Sequence, residues 1–216
     1  TTMFSPSDVA FILDATQPVL THSRSMVAES SIKPHAHPRG QLLWAAKGIL
    51  RVTSEKGVWV VPSTHAVWIP GGHYHQVSNE TATQTRNLYI DPSFCVRQNS
   101  DKVIMLKMSS LMREIILKLT ESPEPLTKAR VHHLGLVALD ELESLEALEL
   151  FIPSGNDPRL QRLISIIVNH PEQSLLLEEL ATQVGASVRT IERLFKAETG
   201  LTFRQWRSRF RLMNSL

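Results

Sequence analysis

The chain has 216 residues, 42% of them hydrophobic, and a formal net charge of +2 at pH 7. That length fits one or two domains, and that apolar content is enough for proper cores, which excludes a disordered chain. A balance so close to neutral also excludes a protein that binds polyanions by bulk charge alone.

The opening segment has no basic n-region, and Asp8 and Asp14 flank its short apolar run, so it does not read as a signal peptide. Thr1 and Thr2 ahead of Met3 read as an altered start. No apolar run reaches the ~20 residues of a membrane span. Cys95 is the single cysteine, so no intrachain disulfide can form and a reducing compartment follows. A cytoplasmic protein with no membrane partner is expected.

From about residue 9 to 106, short β-type runs alternate with turn signals, and strands are predicted over 19–29, 41–46, 49–54, 57–61, 66–69 and 86–91. Lys47-Gly48 and Glu55-Lys56-Gly57 fit hairpin turns. Many short strands at this spacing point to a sandwich or barrel. Trp44, Trp59, Trp68 and Tyr74 fall in this region. Aromatic walls suit a small-molecule pocket, with Trp44, Trp68 and Tyr74 as candidate lining, and core filling explains the same residues.

The period changes at Ser109. Leu111, Met112, Ile115, Ile116 and Leu119 recur at helical spacing. After a break at 121–125, a long helix is predicted over 126–150. It carries one apolar stripe through Val131, Leu134, Ala138, Leu145 and Leu148, and a second through Leu139 and Leu142. Two stripes need two partners, either both within the monomer or one in a second subunit. Residues 151–157 gather Pro, Ser, Gly and Asn and read as a linker. Asp157-Pro158 then starts a helix, with Asp as N-cap and Pro at the first helical position.

Residues 174–200 read as two short helices around a tight turn. Leu177, Leu180, Ala181 and Val184 make one apolar face; Gly185 breaks the helix; Ser187 caps the next; and Val188, Ile191, Leu194 and Phe195 make the second face. Arg189, Thr190, Glu192, Arg193 and Lys196 occupy its other side. From Gly185 to Leu216 seven Lys and Arg face two acids, a local surplus of five positive charges. A Gly-turned helix pair with a basic outer face is the pattern of a helix-turn-helix that enters the DNA major groove. Thr202 and Gln205 form a capping box for a further helix.

This C-terminal stretch closely resembles AraC/XylS-type transcriptional regulators. The resemblance is carried by Leu177, Leu180, Ala181, Gly185, Ser187, Leu194, Phe195, Lys196, Glu198, Thr199, Gly200 and Arg211. It implies that Arg189, Glu192 and Arg193 face bases. Arg can donate twice to guanine and Glu can accept from cytosine. Thr190, Lys196, Arg204 and Arg207 are the remaining DNA-binding candidates, the first three placed for phosphate. A solvated basic face is the plain reading of any one arginine alone. The family carries a second helix-turn-helix after this helix. The sequence stops at Leu216, so the DNA-binding domain is expected to be partial, with weaker binding.

Two stretches upstream resemble the cupin family of small jelly-roll barrels. The first is His35, His37, Pro38, Gly40 and Gln41 followed by Gly48. The second is Pro70, Gly72, His75 and Asn79. A family Glu is replaced by Gln41, and a family Gly by Thr64. In metal-binding cupins the positions of His35, His37, Gln41 and His75 supply the ligands. His35 and His37, two apart on a strand, share a face, and imidazole suits Zn, Ni or Fe. An amide at Gln41 is a poorer ligand than a carboxylate. The same histidines could instead form hydrogen bonds in a polar pocket for an organic effector.

The two resemblances together imply an α+β chain in two domains, a cupin-like β-barrel followed by helices and a C-terminal all-α helix-turn-helix domain. The expected boundaries are 1–106 for the effector-binding barrel, 107–150 for a helical packing or dimerisation segment, 151–157 for the linker and 158–216 for the DNA-binding domain. The implied function is sequence-specific, effector-controlled transcription regulation by a homodimer bound to double-stranded DNA. The rival is a metal-dependent cupin enzyme of dioxygenase or isomerase type, which leaves the helix-turn-helix unexplained.

Overall fold

A computed structural model of the chain describes residues 2–215 apart from Glu80, Leu150 and Pro171. Thr1, Leu150, Pro171 and Leu216, which fall at the ends of predicted segments, lie outside the described residues. The chain forms two compact units, one of Thr1–Val52 with Val61–Glu149 and one of Thr53–Val60 with Leu150–Leu216.

The strands up to residue 148 form two sheets. In chain order they are β1 (Thr2–Phe4), β2 (Val19–Met26), β3 (Ser30–Ile32), β4 (Gly40–Leu43), β5 (Ala45–Lys47), β6 (Leu50–Ser54), β7 (Gly57–Val61), β8 (His65–Ile69), β9 (His75–Asn79), β10 (Thr83–Ile90), β11 (Ile104–Lys107) and β12 (Ala147–Leu148). All but the end of β6 and β7 as far as Val60, which fall in Thr53–Val60, lie in the first unit. One sheet runs β12-β11-β8-β4-β10-β2, with β5 also paired to β10; the other contains β1-β3-β9-β6 in that order. This is the cupin-like barrel that the motifs imply. The runs around β3, β9 and β11 were not among the predicted strands. They are short, and His75 and Gln76 give β9 little apolar alternation to betray it.

Two helices cover the longer sheet. Helix α1 (Ser110–Glu121) is capped by the Ser109 hydroxyl, which accepts from the Met112 N–H at 3.0 Å. Helix α2 (Lys128–Ser144) is capped by Thr127. Leu42, Leu88, Ile90, Ala66, Trp68 and Leu106 form one buried cluster with Met112, Ile116, Ala138 and Leu142 from the helices. Strand alternation decides this. Leu42 is the register partner of Leu88 and of Trp68, so those three side chains share the helix face of the sheet.

The long predicted helix over 126–150 stops at Ser144. The Leu145 N–H closes the last turn on Glu141. The Arg97 guanidinium then donates to the carbonyls of Leu142, Glu143 and Leu145, satisfying the end of the helix from outside it. The chain beyond pairs as β12 with β11 instead of coiling on.

In the second unit, strand β13 (Ile152–Pro153) pairs with β7, and four helices follow: α3 (Pro158–Asn169), α4 (Leu177–Val184), α5 (Val188–Thr199) and α6 (Phe203–Asn214). Leu160, Leu163 and Ile164 of α3, Leu180 and Val184 of α4, Ile191, Leu194 and Phe195 of α5, and Trp206 and Phe210 of α6 close one core. The caps expected from sequence are present. The Asp157 carboxylate accepts the Arg159 N–H at 2.9 Å, and Thr202 and Gln205 exchange their hydrogen bonds.

Asp157 also takes both arms of the Arg159 guanidinium, at 3.1 and 2.9 Å. That side-chain hydrogen bond leads the effects that hold its carboxyl down, from an ordinary 3.8 to about 2. A depressed carboxyl contributes stability above its unfolded value and loses it as pH falls through the folded one. Asp157→Asn keeps the cap but not the charge. Its urea midpoint should lie below wild type at about pH 6, and the two should converge as pH falls toward about 2. A gap independent of pH would remove the charge from the explanation.

Candidate functional site

Two sites emerge, one in each unit. In the first unit, His35 lies in an isolated bridge with His75, and the backbone N–H of each donates to the carbonyl of the other, at 3.0 and 2.9 Å. His37 follows two residues on. The three rings gather with centroids 4.5 to 5.3 Å apart, and one nitrogen from each lies within 4.8 Å of the others. His37 and His75 are buried, and His35 is partly so.

The backbone fixes how these rings present themselves. Nδ1 of His35 lies 2.6 Å from the Lys33 carbonyl, Nδ1 of His37 lies 2.7 Å from that of Arg39, and Nδ1 of His75 lies 2.8 Å from that of His73. A carbonyl can only accept, so each Nδ1 carries the proton. Burial pushes all three imidazoles toward the neutral form, His75 furthest, to about 3, while the carbonyl hydrogen bonds oppose it. Each Nε2 is therefore a lone pair. Three lone pairs on carbonyl-anchored rings are a donor set that could hold a metal ion.

Two further features fit a cation. Among the described residues, buried His75 Nε2 has no hydrogen-bond partner. His37 Nε2 lies 3.0 Å from the Gln41 side-chain oxygen, one acceptor facing another. A cation resolves that conflict, and so does a Gln41 amide turned to donate its N–H. The sequence-implied set of His35, His37, Gln41 and His75 is thus brought together.

The aromatic candidates are not. Trp44 and Trp68 lie in the helix-facing core, with Trp44 donating its indole N–H to the Ser63 carbonyl. Tyr74 is 58% exposed. The rings that do meet the cluster are Tyr89, 5.6 Å edge-on to His37, and Phe11, 6.1 Å edge-on to the same ring. Alternation explains the exchange. Tyr89 is the register partner of Gln41, while Trp68 pairs with Leu42 one residue along and so points to the opposite face. Tyr89 could have been found from that register; Phe11, in a short 3-10 turn over Asp8–Phe11, left no periodic signal. Burial raises the Tyr89 phenol well above its ordinary value, so it stays neutral.

In the second unit, α4 ends at Gly185, whose φ of 71° is left-handed and open to glycine without strain. Ser187 caps α5 by accepting from the Thr190 N–H at 3.1 Å. Arg189, Glu192, Arg193 and Lys196 are all exposed, and their spacing of three and four places them along one face of α5. Ile191, Leu194 and Phe195 anchor the opposite face. This is a helix with a rigid back and a chargeable front, as a groove reader requires. Thr190 is half-buried and bonded to Ser187 through its hydroxyl at 2.9 Å, and Lys196 donates to the Gly200 carbonyl at 3.0 Å. Arg204 is exposed in the first turn of α6. Arg207 is partly buried. Its guanidinium stacks 4.5 Å from the Phe203 ring centroid and donates to the Leu175 carbonyl.

A double-sheet barrel with a histidine cluster and a separate helix-turn-helix unit define the class, a ligand-binding domain joined to a DNA-binding domain. The family models agree. Residues 17–99 match the AraC-like ligand binding domain, and residues 167–208 match the bacterial regulatory helix-turn-helix proteins of the AraC family. The chain is 33% identical over 187 residues to the HTH-type transcriptional regulator NimR of Escherichia coli (strain K12), a match covering 84% of this chain and 66% of that protein. It is 39% identical over 62 residues to the HTH-type transcriptional activator RhaS of Klebsiella pneumoniae (strain 342), covering 29% of this chain and 22% of that one. It therefore spans just under two thirds of NimR and about a fifth of RhaS. Among solved structures, ToxT from Vibrio cholerae aligns with a TM-score of 0.43 at 9% identity, over 92% of this chain and 82% of that one. The chain belongs to the AraC family.

Proposed function

We propose that the protein is a sequence-specific DNA-binding transcriptional regulator, with α5 as its reading helix and the barrel as its input site. The exposed row of Arg189, Glu192, Arg193 and Lys196 on a helix locked from behind supports the DNA reading. Arg193 and Arg189 are assigned to guanine edges, Glu192 to a cytosine amine, and Thr190, Lys196, Arg204 and Arg207 to the backbone. Arg207 would have to leave the Leu175 carbonyl to do so. The barrel's task is to bind its ligand rather than to transform it.

The observation that carries the input site is the convergence of three Nε2 lone pairs with their Nδ1 groups anchored. A transition metal such as Zn, Ni or Fe would be held by His35, His37 and His75, with the Gln41 oxygen beside them, and would tie β9 to the segment 35–37. Regulation then follows from a difference in affinity between two arrangements of the chain. Leu111, Val131, Leu136 and Val137 on α1 and α2 are exposed apolar side chains available to a homodimer, which sedimentation at the mass of one chain would refute. Among the described residues no helix is long and apolar enough to cross a membrane. A cytoplasmic location rests on the family and on the free thiol of Cys95.

Elemental analysis of the purified protein tests the input site. Wild type should carry or take up one Zn, Ni or Fe per chain, and His75→Ala should bind it about 10–100-fold more weakly or not at all. Wild type that takes up none of the three would make the cluster a hydrogen-bonding wall for an organic effector.

A further inference from the structure

The two family matches leave residues 53–60 with the ligand-binding domain, since they fall inside 17–99. The core of the second unit divides the chain differently. Val58 and Val60 are each 2% exposed and belong to the same apolar cluster as Leu160, Phe195 and Trp206. Trp59, on the other face of the strand, stacks on Phe151 with ring centroids 5.6 Å apart and planes 27° from parallel. Every residue of β7 is buried, where the tip of a free hairpin would keep one face wet.

The backbone adds to this. Val58 and Gly57 pair with Ile152 and Pro153 of β13. A Cβ at Gly57 would lie 2.6 Å from the Ile152 carbonyl oxygen, so the pairing is close enough to demand glycine. Pro153 in turn accepts the Trp206 indole N–H at 2.7 Å, and the Trp206 ring lies 5.6 Å from Phe195 on α5. An unbroken series of contacts thus runs from β7 through β13 and α6 to the back of the reading helix.

We infer that Val58, Trp59 and Val60 are positioning residues for DNA reading, built into the DNA-binding unit although they stand in the sequence of the ligand-binding domain. The inference rests on α5 being the reader. It follows that the segment 150–216 alone does not complete its own core. It also follows that the β6–β7 hairpin, whose residues 50–52 and 61 belong to the other unit, is covalently shared by both. Interdomain connection then has three chain crossings, not the single linker over 151–157.

Hydrogen exchange on the full chain tests the packing, and binding to a duplex enriched by wild type from a random pool tests the consequence. Val58→Ser and Trp59→Ala should each speed exchange in α5 and α6 by about tenfold or more, with β2, β4, β8 and β10 unchanged as proof that the barrel is folded. Both variants should bind the enriched duplex at least about tenfold more weakly although no residue of α5 is altered, and Trp59→Phe, which keeps the stacking, should restore both readouts. Exchange in α5 and α6 equal to wild type, or undiminished affinity for the duplex, would overturn the inference. A wild type that enriches no duplex would sink the DNA reading instead, and the exchange arm would still decide whether 57–60 hold the α5–α6 packing.

Discussion

Arg39→Met should destabilise the first unit by about 3–5 kcal/mol, the range for removing one partner of a buried charge pair. The Arg39 side chain is fully buried. Its guanidinium lies 3.6 Å from the Asp91 carboxylate and donates to the carbonyls of Ile12, Gln17, Pro18 and Tyr89 at 2.6 to 3.3 Å. It therefore gathers the segment 12–18, the end of β10 and the strand β4 at one point. Methionine fills similar volume but removes the guanidinium donor from those carbonyls and the countercharge from Asp91, which keeps its hydrogen bonds from Asp14 and Ser93. The same segment brings Phe11 against His37, so the loss should reach the histidine cluster. Thermal unfolding should fall by roughly 10 °C, and amides of 10–17 should lose their exchange protection. A change below about 1 kcal/mol would show that water replaces the guanidinium at little cost.

Trp206→Ala should cost the second unit about 3–5 kcal/mol, as truncation of a fully buried aromatic does. Trp206 is 0% exposed, stacks on Phe210 at 5.8 Å and meets Phe195 at 5.6 Å. The cavity would open directly behind α5, and the Pro153 carbonyl would lose its donor. Metal uptake at His35, His37 and His75 should be untouched, since those residues lie in the other unit. Trp206→Phe should recover most of the packing and none of the hydrogen bond. Denaturant unfolding of the three proteins, with m-values compared, measures this. An alanine variant within about 1 kcal/mol of wild type would mean that the core collapses around the gap.

The helical half was legible because its signals are local. The caps at Asp157, Ser187 and Thr202, the stop at Gly185 and the apolar faces of α4 and α5 all lie within a few residues of what they specify. The histidine cluster was legible only through a family pattern, because His35 and His75 meet across forty residues of chain that no short-range period encodes. Trp44 and Trp68 were ambiguous for a physical reason. Both faces of the β4–β10 sheet are buried, one under α1 and α2, so apolarity could not tell the helix side from the histidine side. Register settles it, and register is a property of pairing partners. The part played by β7 in the second core was invisible for the same reason: Val58, Trp59 and Val60 read as barrel residues until their partners at 151–153 are known.

The most direct test of the account is selection of duplexes from a random pool by the full chain, followed by affinity measurements at one stated salt concentration. Wild type should enrich a defined motif. Arg193→Ala should bind that motif about 1–3 kcal/mol more weakly and lose discrimination at one base pair, while Arg204→Ala should weaken all sequences alike. Enrichment of no motif, or an Arg193→Ala variant that keeps full affinity and the same preference, would contradict α5 as the reading helix.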